Sequence, residues 1–353
     1  TRRQLLTAAL PLGLFPQTRL SGPRPNVILI LTDDQGYGDM ACHGNPVVRT
    51  PNLDRLHGDS VRFTNFHVDP TCSPTRSALM TGRYSHRTGV WHTIMGRNFL
   101  RSTEVTVADV FRRSGYRTGI FGKWHLGGNY PFRPVDRGFD EWVGHGDGGT
   151  GTASDYWAND KMNDTYYRNG KREKFSGFGT DIYFDEAIRF IGRKDSRPFF
   201  VYLPTNDAHN PCNVRREWLA PYESRGVSRE LCHFYASIER VDYQIGRLRQ
   251  HLARRGLNEN TILLFLTDNG SARRTSFNPG MRGIKGSHYD GGHRVPLFLH
   301  WPGGGLERPR DIGRLAAHLD VLPTLIELCG LADPGVAFDG RSLAPLLRGS
   351  QRE

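Results

Sequence analysis

Asn26-Val27-Ile28-Leu29-Ile30-Leu31-Thr32-Asp33-Asp34 is apolar in all but its outermost strand positions and closes abruptly on two carboxylates. A continuous apolar run of strand length belongs to a strand covered on both faces, since a half-exposed strand would alternate. Comparable runs recur at 118–121, 199–203, 262–267 and 295–301. Helical patterns lie between them. Residues 106–114 begin T-x-x-D and have Gly115 just past their end. Residues 181–191 place Ile182, Ala187, Ile188 and Ile191 on one side. Residues 228–255 carry Leu231, Tyr235, Ile238, Val241, Ile245, Leu248 and Leu252 at three-four spacing, closed by Gly256. Strands alternating with helices predict an α/β domain, whose sites lie at the carboxyl ends of the strands. The polar clusters fall at those ends: Asp33-Asp34, then Lys123 and His125, then His209, then Asp268-Asn269.

The chain of 353 residues is long enough for a sizeable core, and 37% hydrophobic with 24% charged residues describes an ordinary globular composition. No run of 18 or more uncharged apolar residues exists, so stable membrane insertion is not expected. The formal charge of +11 suits an anionic partner, but a merely basic solvated surface explains it equally well. Lys and Arg are scattered and no nucleic-acid-binding signature accompanies them, so no nucleic-acid partner is expected. Thr1-Arg2-Arg3-Gln4-Leu5-Leu6 leads an apolar stretch to Phe15, which over residues 1–22 looks like a twin-arginine export signal without a clear A-x-A cleavage site. The expected catalytic domain is then 23–353, in a periplasmic or secreted protein. Within it, 144–179 is rich in Gly, Asp and aromatics and lacks a period. It reads either as an insertion that sets substrate choice or as a surface loop. The five cysteines fit no zinc spacing, and Cys212 with Cys232 is an expected pair across a short loop.

Two oxygen-rich pairs, Asp33-Asp34 and Asp268-Asn269, follow buried strands. Converging carboxylates repel unless a cation holds them, and all-oxygen ligation suits Ca²⁺ or Mg²⁺. Around them stand Arg76, Lys123, His125, His209, Lys285 and Arg294, suited to a tetrahedral oxyanion. Cys72-Ser73-Pro74-Thr75-Arg76 precedes a short run that reads as a helical turn, with Pro74 near its start. Cys72 would then lie at a helix N-terminus, where backbone donors favour an anion.

This set resembles the sulfatase family, within the alkaline-phosphatase-like superfamily. Cys72 to Arg76 with Thr81-Gly82-Arg83 match its C-x-P-x-R and T-G-R pattern. Gly115-Tyr116-Arg117-Thr118 through Gly122-Lys123-Trp124-His125-Leu126-Gly127 match its second signature, and the likeness runs from about 25 to 349. The resemblance implies a central, mostly parallel sheet flanked by helices. It implies that a formylglycine-generating enzyme converts Cys72 to formylglycine (3-oxoalanine), whose hydrate is the nucleophile. It implies Ca²⁺, rather than Mg²⁺, on Asp33, Asp34, Asp268, Asn269 and position 72. Arg76 and His125 would support the hydrate, with His125 as base. Lys123 and Lys285 would bind sulfate oxygens, His209 would protonate the leaving alcohol, and Arg294 is a further substrate-binding candidate. The family's usual small C-terminal subdomain is expected to be truncated here, and Asn210 separates His209 from Pro211.

The expected activity is hydrolysis of a sulfuric ester, on a sulfated carbohydrate rather than a small aryl sulfate, with Trp91, His92, His145, Tyr156 and Trp157 as candidate sugar contacts. Two other readings stay open: a phosphodiester or phosphonate monoester hydrolase of the same superfamily, and a catalytically silent protein that binds sulfated glycans.

Overall fold

The computed structural model describes residues 22–350, so the export-like segment lies, but for Gly22, outside the described residues. The strands are β1 (Asn26–Thr32), β2 (Val61–His67), β3 (Arg117–Lys123), β4 (Glu141–His145), β5 (Thr165–Arg168), β6 (Lys171–Lys174), β7 (Phe199–Pro204), β8 (Thr261–Thr267), β9 (Arg294–His300), β10 (Arg310–Ile312) and β11 (Ala316–Ala317). They form one sheet in the order β10-β2-β9-β8-β1-β7-β3-β4-β5-β6, with β11 beside β2. Only β9 and β5 run against the others, so the sheet is mostly parallel, as expected. The helices are α1 (Pro51–Gly58), α2 (Cys72–Thr81), α3 (Val107–Arg113), α4 (Gly179–Ile191), α5 (Ala220–Glu223), α6 (Arg229–Arg254), α7 (Asp290–His293), α8 (Val321–Cys329) and α9 (Ala344–Leu347).

The two-residue period of β1 divides the core. Val27, Leu29 and Leu31 join a cluster with Phe111 of α3 and Leu322 of α8. Ile28 and Ile30 join the opposite cluster, with Leu53 of α1, Phe184 of α4 and Ile245 of α6. Each fully buried side chain of this kind is worth about 1.5–3 kcal/mol, which is why the central strand is apolar on both faces. Local signals agree with this plan. Thr106 Oγ1 accepts from Asp109 N at 3.1 Å, and Asp109 Oδ2 accepts from Thr106 N at 3.0 Å, closing the expected capping box on α3.

Four details differ from the sequence reading. β2 carries polar residues at its half-buried positions, so its Val-Arg-Phe-Thr-Asn-Phe-His run lacks the continuous apolar signal. The strand expected at 295–301 is β9, which starts one residue earlier and runs antiparallel. Residues 144–179 are not one irregular loop: they leave β4 and fold back as the β5–β6 hairpin, with Tyr167 opposite Arg172. Finally, the expected Cys212–Cys232 pair is not formed. The Cys212 thiol donates to Ala208 O at 3.1 Å and that of Cys232 to Val227 O at 3.2 Å, so each sulfur is satisfied where it stands.

α1 starts at Pro51, and its N-cap Thr50 makes no side-chain cap. The acceptor comes from elsewhere: Asp242 of α6 takes Asn52 N at 2.9 Å and Leu53 N at 2.7 Å on Oδ1, and Asn52 Nδ2 at 2.8 Å on Oδ2. One carboxylate thus caps α1 and fastens it to α6. Asp242→Ala should lower stability by about 1–2 kcal/mol, as a lost cap does. The check is a lower urea midpoint at unchanged slope; an unchanged midpoint would remove this role.

Candidate active site

Strand register assembles the site. Thr32 of β1 pairs with Thr267 of β8, so the residues that follow, Asp33-Asp34 and Asp268-Asn269, emerge side by side. Asp34 N donates to Asp268 Oδ1 at 3.1 Å, and Asn269 Nδ2 to Asp34 Oδ1 at 3.0 Å. From β3, two strands from β1, Lys123 Nζ reaches Asp33 Oδ2 at 2.6 Å. α2 enters the same end of the sheet with Cys72 as its first residue and every residue buried. One ligand atom from each of Asp33, Asp34, Cys72 and Asp268 lies within 4.8 Å of all the others. Pro74, without an N–H, sits in the first turn, whose donors have no intrahelical partner. One turn into α2, Arg76 is fully buried and donates through Nε and Nη2 to Asp268 Oδ2 at 3.2 and 2.8 Å, and through Nη1 to Lys123 O at 2.8 Å.

The charges are arranged against their own burial. Burial opposes ionisation of Asp33, but Lys123, with His209, Arg76 and Lys285 behind it, outweighs that and holds the carboxyl well below its usual range. Burial and the neighbouring Asp33 push Asp268 the other way, up to about 7. Burial likewise pushes the Cys72 thiol up to about 12. Two oxygens are left over: Asp33 Oδ1 and Asn269 Oδ1 are buried without a partner. A buried carboxylate oxygen and a buried amide oxygen facing a carboxylate cluster fit a hard divalent cation.

The imidazoles have defined tautomers. His125 Nε2–H donates to Thr93 O at 2.8 Å, which leaves Nδ1 as a bare, buried acceptor with no partner. Burial, then Lys123 and Arg76, holds its pKa well below the ordinary value, so the ring is neutral. His209 Nδ1–H donates to Asn210 O at 2.5 Å, and its Nε2 lies 3.9 Å from Asp34 Oδ2. The Lys285 ammonium pairs with Asp34 Oδ1 and is only partly covered. Cys72, Arg76, Lys123, His125, His209 and Lys285 are therefore brought together with the two oxygen pairs. Arg294 is not. Its guanidinium donates through Nε and Nη2 to Thr64 O at 3.1 and 2.6 Å, on β2, which flanks β9 on the side away from β8.

Sequence reasoning missed two residues. Asn206 bridges the site to the insertion: its Nδ2 donates to Asp33 Oδ2 at 3.2 Å, and its Oδ1 accepts from Thr150 N at 2.9 Å. Lys161 is buried within the insertion. Its Nζ donates to Asp207 Oδ1 at 2.7 Å, Asn206 O at 3.1 Å and His209 O at 2.6 Å, gripping the segment that carries His209. A lysine in an aperiodic segment offers no sequence cue to such partners.

Comparison with known proteins fits this geometry. The family model described as Sulfatase matches residues 25–331. The chain is similar to human (Homo sapiens) arylsulfatase A, 33% identical over 92% of this chain and 68% of that protein. It is also similar to N-acetylgalactosamine-6-sulfatase of Canis lupus familiaris, 31% identical over 93% of this chain and 66% of that protein. The chain thus spans about two thirds of the length of these relatives. Among solved structures, Ps i-CgsB in complex with k-i-k-neocarrahexaose superposes with a TM-score of 0.86 at 28% identity, covering 93% of this chain and 77% of that one. With the family's C-x-P-x-R cysteine seated among three aspartates at the end of a mostly parallel sheet, the chain belongs to the sulfatase family.

Proposed function

We propose that the protein hydrolyses sulfate esters of carbohydrates with Cys72, converted to formylglycine, as the nucleophilic position. The observation that carries this reading is the seat of Cys72. The thiol is buried, protonated at neutral pH and ringed by Asp33, Asp34 and Asp268, surroundings that oppose a thiolate nucleophile and suit a precursor. Conversion removes the sulfur and oxidises Cβ by two electrons, work for a separate maturing enzyme and an external oxidant. The hydrated aldehyde would supply one hydroxyl to attack sulfur and a second whose deprotonation expels sulfate. Ca²⁺ on Asp33, Asp34, Asp268 and Asn269, with Mg²⁺ as the less suitable ion, would draw charge from the sulfate oxygens.

The chain's own groups divide the remaining work. Lys123 and Lys285 reach the cluster from two sides and would hold the non-bridging oxygens. The bare Nδ1 of His125 would receive a proton from position 72. His209, partly exposed, would give a proton to the leaving alcohol once charged; burial, with Lys123 and Lys285, holds its pKa below the ordinary value against Asp33 and Asp34, so it must first take up that proton. A carbohydrate substrate is supported by the names of the relatives, one an N-acetylgalactosamine-6-sulfatase and one crystallised with neocarrahexaose. We place the enzyme in the periplasm or outside the cell, on the export-like residues 1–22.

Cys72→Ala should abolish sulfate release from an aryl sulfate while leaving circular dichroism and melting unchanged. The active protein should carry an aldehyde at position 72 by peptide mass; full activity with an unmodified thiol would overturn the mechanism. Faster cleavage of an aryl phosphodiester than of the matching aryl sulfate would favour the phosphohydrolase reading instead. Chelation should lower both turnover and melting temperature, with Ca²⁺ restoring both. At a free ion concentration of ~100 Kd the restored stability is about 2.7 kcal/mol. Melting that ignores the chelator would argue against a cation among these carboxylates. Lys161→Met should loosen His209 and reduce kcat about tenfold or more with a smaller change in KM, as loss of a positioning contact does. An equal effect confined to KM would argue against positioning of His209.

A further inference from the structure

Arg172 differs from Arg168, the other arginine of its hairpin, in what engages it. Arg168, on the facing strand of the same hairpin, is paired with Glu173 at 2.7 Å and Glu186 at 2.9 Å. The Arg172 guanidinium has no hydrogen bond or ion pair among the described residues; it lies 5.2 Å from the ring centre of Tyr156 and 5.9 Å from that of Tyr167. All three side chains line a cleft of about 230 Å³.

That cleft shares a wall with the active site. His145 on its floor pairs across the sheet with Lys123. Asp147, also on the lining, has Oδ1 3.9 Å from His125 Nε2. Behind it, Asn206 ties Thr150 to Asp33. The frame is fixed. Asp155 Oδ1 accepts from Tyr156 N at 2.8 Å and Asn159 Nδ2 at 2.9 Å, and its Oδ2 accepts from Gly151 N at 3.0 Å. The two carboxylates of the lining are already engaged, Asp155 with His145 at 3.3 Å and Asp147 with Asn98 Nδ2 at 2.6 Å. Among the charged side chains that line the cleft, Arg172 thus remains the uncommitted one.

A guanidinium stacked on aromatic faces keeps its in-plane N–H groups free for a bidentate oxyanion, while the rings offer a surface for a sugar face. We infer that this cleft is a subsite for the sugar adjoining the one that loses sulfate, and that Arg172 binds an anionic group on that neighbour. The inference rests on the sulfatase reading and names the substrate class for it: glycans charged on consecutive sugars.

The test measures affinity in the Cys72→Ala background, where substrate is not consumed. The probes are a disaccharide with one sulfate on each ring, its counterpart lacking the sulfate on the non-reacting ring, and a third with a carboxylate at that place. Adding Arg172→Gln should weaken binding of a doubly charged probe about tenfold or more, the scale of a lost charge-assisted hydrogen bond. Binding of the probe without the neighbouring charge should shift far less. A loss restricted to the sulfate or to the carboxylate probe supports the subsite and identifies the group. Equal losses for all three probes, or none for any, overturn it. Wild-type turnover of an aryl sulfate is followed separately: failure there counts against the sulfatase reading, while the binding comparison still decides the subsite.

Discussion

Three carboxylates converge in a nearly dry space at the end of a parallel sheet, and most of the site can be understood as a response to their repulsion. Asp33 is held ionised by Lys123 at 2.6 Å, and Asp268 is engaged by Arg76 at 2.8 Å with neither side chain exposed. Pairs buried this deeply carry a large desolvation penalty, so they are weak devices for stability. Their value here is positional. Arg76 also donates to Lys123 O, which links α2 to β3 and fixes the first turn of α2 against β1 and β8. The oxygens without partners, on Asp33 and Asn269, are the ones that the protein's own cations leave unengaged.

Much of this was legible in the sequence, for a physical reason. A strand covered on both faces must be apolar throughout, so β1, β7 and β8 announce themselves, and the abrupt polar residues after them mark the end of the sheet where sites form. The C-x-P-x-R run could be placed because a proline's missing N–H is tolerated in the first turn of a helix, where Pro74 stands. β2 was not legible, since its alternation breaks at Asn65, where the register with β9 shifts between Phe63 and Phe66. Nor was Arg294: its sequence position beside an apolar strand does not say which neighbouring strand its side chain meets, and in the sheet β2 takes its guanidinium at Thr64 O. Lys161 and Asn206 depend on tertiary contacts across 45 residues or more, which no local pattern encodes.

The insertion is fastened to the catalytic end rather than draped over it. Lys161 grips the His209 segment, Asn206 joins Thr150 to Asp33, and Asp155 fixes Tyr156. The insertion and the carboxylate site are thereby held in one frame.

The complete burial of α2 has a consequence for the protein's history. Cys72 is 2% exposed, and every residue of the helix that begins with it is buried. A catalyst large enough to be a protein has no way to grasp this side chain once the strands have closed around it. Under the proposed mechanism, conversion of position 72 by another protein would therefore have to act on the nascent or unfolded chain. On that mechanism a molecule that folded with its thiol intact would stay so, and the fraction of competent protein would be set at biosynthesis and change afterwards only by turnover of the chain itself.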